Sequence, residues 1–142
     1  MGNLSYLKKL ASLNPQEILR RALENTGVKQ QIIDYNQEQM YEQGIDSAGE
    51  SLGEYSHVTI KIKQEKGQRI DHITLKDAGD FYDSMRIVTT DKSALIEADM
   101  QKPDTDLEII YPKALGLTED SKNEIMPMII GQMMKEIKLA IR

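Results

Sequence analysis

The chain has 142 residues, enough for one domain, and 39% of them are hydrophobic. Its formal net charge of -5 argues against a nonspecific nucleic-acid-binding surface, because such a surface needs an excess of Lys and Arg. The sequence contains no cysteine, which excludes disulfides, thiolate zinc sites, iron–sulfur clusters and cysteine nucleophiles.

The first residues carry weak signals for processing or modification. No basic segment followed by an apolar run begins the chain, so we expect no signal peptide. Gly2 fits myristoylation poorly because Tyr6 stands where that motif has Ser or Thr. The Asn3-Leu4-Ser5 glycosylation triplet matters only in a secreted protein. No apolar stretch approaches the roughly 20 residues of a membrane span, and we therefore expect the protein to be made and kept in a cytoplasm.

The first strong structural signal is a helix that starts at Asn14 and Pro15. Asn14 can cap the helix and Pro15 suits its first position, and apolar residues then recur at helical spacing. The pattern predicts one long helix over residues 15–43. We expect a bend at Gly27, because glycine weakens a helix by about 1 kcal/mol relative to alanine. A short helix over residues 5–13 precedes it.

A loop and an ambiguous segment follow. Residues 44–53 contain three glycines and little apolar mass, which predicts a loop. Residues 55–63 alternate apolar and polar side chains, which favours a strand, although Ser56 could also cap a helix there. Residues 66–68 are predicted to form a turn.

Short elements occupy the centre of the chain. Asp77 can cap a short helix in which Phe81 and Met85 share one face. Residues 86–90 and 93–99, joined by Asp91-Lys92, have the pattern of a β-hairpin.

The end of the chain predicts one more strand and a helix. Residues 107–111 form a candidate third strand, which Pro112 would stop. The last helix begins with Thr118 as its cap, and Pro127 should kink it or split it in two. The chain is thus predicted to be a single α+β domain over residues 1–142, with a long N-terminal helix, short helices, a small antiparallel sheet with a hairpin, and a C-terminal helix.

Asp77, Asp80 and Asp83 recur at every third position and could line one face of a helix. A cation site would need further ligands at loop spacing, and none follow them. Since capping already accounts for the first two, we interpret them as a cap and a solvated face.

The histidines are His57 and His72, and both lie in polar segments. Neither belongs to a two-histidine zinc motif, and catalysis would require the fold to bring them to a nucleophile or a carboxylate. We therefore predict that both lie on the surface.

Lys61, Lys63, Lys66 and Arg69 form a basic cluster in an acidic chain. A phosphate or nucleic-acid contact is one interpretation. The scarcity of aromatic residues around the cluster, apart from Tyr55, disfavours single-strand binding by base stacking. The interpretation we favour is a solvated face or a contact with an acidic protein partner.

Methionines crowd the last helix at Met126, Met128, Met133 and Met134, on more than one of its sides. Those outside the core would leave an exposed apolar patch, and such patches mark protein contacts. A core helix buried on both sides is the competing interpretation, and the pattern favours neither.

Catalytic signatures are missing from the sequence. It contains no phosphate-binding glycine loop, nucleophile elbow or kinase signature. The residues therefore predict a non-enzymatic assembly component that uses no cofactor and no metal.

Two short motifs follow one another between residues 55 and 85. The first comprises Ser56, Thr59 and Lys63, and the second comprises Leu75, Gly79, Phe81, Ser84 and Met85. They resemble a Leu-Ser-x-x-Thr segment with a following lysine, and a Leu-x-x-Thr-Gly-x-Leu/Phe-x-x-Ser-Ile motif. Both occur in the phage virion-morphogenesis family, the tail-completion or head–tail connection proteins of Mu-like and other tailed phages.

A third segment extends this resemblance to residue 118. Its residues are Ala114, Leu115, Gly116, Leu117 and Thr118. The segment is similar to the Ile-Leu-Gly-Leu-Thr that opens the last helix in family versions from phages of gut Bacteroidetes. The chain departs from the family where Ala78 replaces the usual threonine and where Tyr55 stands in the lead-in to the first motif.

The resemblance implies both a fold element and a function. It implies that residues 56–63 form a short helix capped by Ser56, and we adopt this over the strand. It also implies a structural virion protein that forms a homo-oligomeric ring at the neck, made in the host cytoplasm. The ring would contact other neck, portal-side and tail proteins and no membrane, and DNA would pass through it without specific recognition. A negative channel wall would keep DNA from sticking, since like charges repel.

Two other functions stay open from the residues. One is a small phage- or prophage-encoded binding or regulatory module that contacts protein or nucleic acid through residues 61–69. The other is a metal-dependent enzyme that uses the aspartates of residues 77–83, for which the sequence gives less support.

Overall fold

A computed structural model of the chain describes residues 2–91 and 93–142. Along these residues the helices are α1 (Gly2–Ala11), α2 (Pro15–Glu24), α3 (Thr26–Glu38), α4 (His57–Glu65), α5 (Asp80–Asp83), α6 (Leu107–Ile110) and α7 (Glu119–Ala140). A π-helical turn (Gln39–Gln43) extends α3, and strands β1 (Arg86–Thr89) and β2 (Ala94–Glu97) form an antiparallel hairpin. The chain is α+β, as predicted.

The predicted long N-terminal helix is wrong, because Asn25 divides it into α2 and α3. The backbone of Asn25 is extended, with φ −61° and ψ 128°, and its N–H bonds to the Ala22 carbonyl to end α2. Its Oδ1 accepts from the Val28 N–H at 3.1 Å and starts α3. Asparagine is a strong capping residue, so the chain turns at Asn25 and Gly27 merely lies in the first turn of the next helix.

The π-helical turn ends at Gly44, whose φ of +65° lies in the left-handed region. A Cβ at this position would lie 2.4 Å from the His72 ring, so glycine is needed for two reasons. The predicted loop over residues 44–53 is confirmed. Asp46 organises it by accepting from the N–H groups of Ala48 and Glu50.

Residues 57–65 are helix α4, so the strand favoured by their alternation is wrong and the helix implied by the resemblance is confirmed. Ser56 caps α4, with its Oγ accepting from the Thr59 N–H at 3.3 Å. The predicted cap at Asp77 is also wrong, because α5 starts after Gly79, which has φ +96°. Phe81 is buried, as is Met85, in the shared apolar cluster that their spacing predicted.

The hairpin is confirmed with shorter strands than predicted. Val88 pairs with Leu95, and Ile87 pairs with Ile96. Lys92 of the predicted Asp91-Lys92 connection lies outside the described residues. The predicted third strand over residues 107–111 is wrong: the Asp106 carboxylate accepts from the Glu108 N–H at 3.0 Å and caps α6 instead.

Helix α7 is continuous. The Thr118 Oγ1 accepts from the Ser121 N–H at 3.1 Å and caps the helix, as predicted. Pro127 lies inside the helix without splitting it. Among the described residues, no helix is long and apolar enough to cross a membrane.

Two apolar clusters form the core. The first lies in what we call the helical layer (α2, α3 and α7), and its buried members include Val28, Ile32 and Ile125. The second lies in and around residues 52–85, which we call the motif region, and contains Met40, Leu52, Phe81, Tyr82, Met85, Leu107 and Ala114. Ile96 of the hairpin packs against both clusters and joins them.

Candidate interaction surfaces

Lys63 of α4 is buried in the motif region, with 9% of its surface exposed. Its Nζ donates to Gln68 Oε1 at 3.2 Å and to the Lys76 carbonyl at 3.3 Å. It also lies 4.7 Å from the centroid of the Tyr55 ring, within the range of a cation–π contact. The lysine of the first motif therefore fastens α4 to the segment that leads into the second motif.

Thr74 is the centre of a second set of polar contacts and is 1% exposed. Its N–H donates to the Tyr55 hydroxyl at 2.9 Å, and its carbonyl accepts from the Tyr82 hydroxyl at 2.5 Å. Burial raises the pKa of Tyr82, which keeps its hydroxyl a donor. These bonds adjoin Leu75, whose φ of +59° is costly for a leucine, and they hold the backbone in that conformation.

The remaining residues of the motifs also make structural contacts. The Ser84 hydroxyl donates to the Phe81 carbonyl at 2.7 Å and accepts from the Asp99 N–H at 2.9 Å, which ties α5 to the residues after β2. Thr59 accepts from the Ser56 hydroxyl at 3.0 Å at the start of α4. Lys63 and the neighbouring Thr74 thus make buried bonds, whereas the Ser56–Thr59 and Ser84–Asp99 bonds lie at the surface.

The Leu115–Thr118 segment is held by two buried amides of the α3 helix and its π-helical extension. Asn36 donates to the Ala114 carbonyl at 3.0 Å and accepts from the Gly116 N–H at 2.9 Å. Gln39 donates to the Gly116 carbonyl at 2.9 Å and accepts from the Thr118 N–H at 2.9 Å. We call these four bonds the amide clamp.

Sequence reasoning did not single out Asn36 and Gln39. Both are 0% exposed. The available signal was two amides three residues apart on the same helix face as Ile32 and Met40. A buried amide must find partners, so such a pair indicates a bonded backbone segment.

A cleft of about 450 Å³ opens beside the motif region. Apolar side chains line much of it, among them Ile73, Phe81, Leu107, Ile110 and Tyr111. Lys63 also lines this cleft, along with the loop of residues 102–105. Its charged and polar members include both lysines and aspartates, so the cleft does not select one sign of ligand charge.

The predicted basic cluster does not form one basic surface. Lys63 is buried, Lys66 pairs with Asp77 at 3.2 Å, and Arg69 pairs with Asp71 at 2.7 Å. Arg69 also reaches Glu42 at 2.8 Å. Lys61 is exposed. Acidic partners thus offset much of the charge that the sequence places at residues 61–69.

The aspartates of residues 77–83 and the two histidines do not form a metal site in the described part of the chain. In the part of the chain that the structure describes, no group of three or more His, Asp or Glu residues could hold a metal ion. Gln68 and Lys66 donate to the Asp77 carboxylate and lower the pKa of that group. His57 is exposed at the start of α4, as predicted.

His72 departs from the predicted surface position. Its side chain is 14% exposed, and Nε2 lies 3.1 Å from the Glu42 carbonyl. It packs against Gly44, which brings the motif region up to the end of the π-helical turn.

Large apolar side chains face outward from α7 and β2. Met126 and Met134 are 45% and 49% exposed, Met128 is exposed, and Met133 is half-buried. A groove of about 520 Å³ runs between β2 and α7. Its lining includes Leu95, Leu115, Leu117, Ile125, Met126 and Ile129. We call it the hairpin groove.

Further apolar side chains are exposed elsewhere. Val58 and Ile62 project from α4, and Ile109 and Ile110 project from α6. Contiguous exposed apolar side chains mark protein or membrane contact surfaces and ligand-binding grooves.

Comparisons with protein-family models, with curated proteins and with solved structures found no match for this chain.

Proposed function

We propose that the chain is a structural protein of a tailed-phage virion that forms a ring at the head–tail junction and joins the capsid connector to the tail. The observation that carries this proposal is the set of large apolar side chains that face outward from several separate elements. A ring subunit needs two different contact surfaces, one for each neighbour, because a head-to-tail contact repeats around the ring. The hairpin groove and the exposed side chains of α4 and α6 are candidates for these two surfaces.

The motif residues support the proposal in a second way. Lys63 and Ser84 of the motifs, and Thr74 next to the second motif, direct their polar groups to neighbouring residues of the same chain. Such bonds stabilise the conformation of the subunit. A ring subunit needs a defined conformation, because its surfaces must fit those of its neighbours.

The first experiment tests whether the chain is part of a particle. Purified virions of the phage whose genome encodes the chain should contain it by mass spectrometry, and a cryo-EM map of the neck should show a ring with its fold. Virions free of the chain would overturn the proposal. Salt-dependent binding of the chain to nucleic acid, with no incorporation into particles, would overturn it in favour of a binding module.

A second experiment tests the hairpin groove. Leu95→Asp puts a charge in the groove at a side chain that is 48% exposed, so the chain should still fold. We expect this variant to be absent from particles while Gln31→Asp, at an exposed position of α3, is incorporated normally. Normal incorporation of Leu95→Asp would exclude the groove as a subunit contact.

A further inference from the structure

Residues 125–134 of α7 form a ten-residue stretch without a charged side chain. A helix on a protein surface has an apolar side toward the core and a polar side toward water. Ile125 and Ile129 face the core of the helical layer, yet Met128, Ile130 and Met134 on other sides are exposed. The middle of α7 is therefore apolar on its outward side too.

Gly131 lies on that outward side and has no explanation within one copy of the chain. A Cβ at this position would meet no atom within 4 Å. Glycine inside a helix is destabilising relative to alanine. A residue without a side chain there leaves a gap in the outward surface, into which a side chain of another molecule can fit.

Charges of opposite sign flank the apolar stretch. Asp120 and Glu124 precede it and Lys135 and Lys138 follow it, all with exposed side chains. Lys122 and Glu136 carry the opposite signs, so the net charge is negative before the stretch and positive after it. Glu124 and Lys135 lie beyond the first and last turns of α7, where the helix dipole no longer accounts for their signs.

We propose that two copies of this chain associate through α7, with the two helices antiparallel about a two-fold axis near residues 129 and 130. In this arrangement Glu124 of each copy faces Lys135 of the other, and Asp120 faces the turn that carries Lys138. Met128 of each copy fills the gap at Gly131 of the other. Each copy thus contributes the same residues to the contact and meets the same residues of the other copy, as a two-fold axis requires.

This contact closes on itself and produces a dimer, so it does not propagate a ring. It is independent of the proposed function, which uses the hairpin groove and the surfaces of α4 and α6. The dimer covers Met128 of α7 with a second copy, whose flexible Met side chain can adapt to the contact, and it leaves Met126 in the hairpin groove.

The test is the mass of the full-length chain in solution, measured by sedimentation over a range of concentrations. We expect a dimer. Glu124→Lys and Lys135→Glu should each weaken it by about tenfold, because each places like charges together twice, and the double variant should restore it. A monomer at every concentration would overturn the proposal, and so would a dimer that the single charge reversals leave unchanged.

Gly131→Ala separates the dimer from the fold of the monomer. Alanine favours a helix more than glycine does and fits one copy without a clash, so the unfolding midpoint measured under monomeric conditions should rise. The same change fills the gap for Met128 and should weaken the dimer. If dimer affinity stays the same or increases, the α7 contact is wrong. An oligomer larger than a dimer that survives these variants would overturn the α7 contact while leaving the ring proposal standing.

Discussion

The helical layer and the motif region are held together by different chemistry. In the helical layer, the buried side chains that join α2, α3 and α7 are aliphatic, with Val28, Ile32 and Ile125 at the centre. In the motif region, Lys63 and Thr74 make buried hydrogen bonds alongside a cluster of aromatic and Met residues. Apolar packing tolerates exchange between side chains of similar volume, whereas a buried hydrogen bond requires a particular atom at a particular place.

Because of this difference, we expect substitutions in the helical layer to lower the stability of the whole fold and substitutions in the motif region to affect that region alone. Aliphatic contacts spread over three helices are lost together when the fold opens. The polar contacts of the motif region join segments close in sequence, such as Lys63 and Lys76, so they can open without the helical layer.

The largest expected effect tests the helical layer. Ile125→Ala leaves a cavity at a side chain that is 3% exposed and should lower the free energy of unfolding by about 3 kcal/mol. Urea unfolding followed by circular dichroism measures it. The matched control is Ile109→Ala on α6, which should change stability by less than about 0.5 kcal/mol because the side chain is exposed. Equal losses of unfolding free energy in the two variants would contradict the placement of Ile125 in the core.

The next effect tests the amide clamp, which connects α3 to the segment before α7. Asn36→Ala leaves the Ala114 carbonyl and the Gly116 N–H without their partners and should cost about 2 kcal/mol. Gln31→Ala, on the exposed side of the same helix, should cost less than about 0.5 kcal/mol. A loss at Asn36 no larger than the loss at Gln31 would contradict the clamp.

A smaller and more local effect tests the motif region. Lys63→Ala removes two hydrogen bonds and the contact with Tyr55, and should cost about 1 kcal/mol. Amide hydrogen exchange should become faster in residues 68–77 while α7 keeps its protection. Lys61→Ala, at an exposed position of the same helix, is the control. Uniform loss of protection across the chain would show that the two regions open as one unit.

The smallest effect is a dependence on acid pH. The hydrogen bond from Gln68, followed by the contacts from Lys66, lowers the pKa of Asp77 in the fold. A carboxyl group whose pKa is lower in the folded state stabilises the protein above its unfolded value of about 4, and this contribution is lost as the pH falls through the folded pKa. Gln68→Ala should raise the pKa of Asp77 toward its ordinary value, measured by NMR titration of the carboxyl carbon. An unchanged pKa would show that this bond does not act on Asp77.

The sequence predicted the elements whose signals are local. The caps at Asn14 and Thr118 and the pairing of the hairpin depend on residues near one another, and the structure contains them. For residues 55–63, the alternation indicated a strand, and the family resemblance rather than the pattern indicated the helix.

Two of the wrong predictions share one physical cause. A single capping residue outweighed periodicity at Asn25, which broke a long apolar stripe, and at Asp106, which started a helix where a strand was predicted. The burial of the clamp amides Asn36 and Gln39 and the low exposure of His72 depend on partners far along the chain, and no local pattern carries that information.

Asn25 serves two helices with one residue, because its N–H ends α2 and its side chain starts α3. Both caps at the junction between α2 and α3 therefore depend on this one residue. A residue that accepts helical geometry there, as alanine does, would let both segments continue as a rod of about 43 Å over residues 15–43, at 1.5 Å per residue. Such a rod would carry Ile18 and Ala22 out of their buried positions, so the cap at Asn25 and the packing of α2 against α7 favour the same bent arrangement.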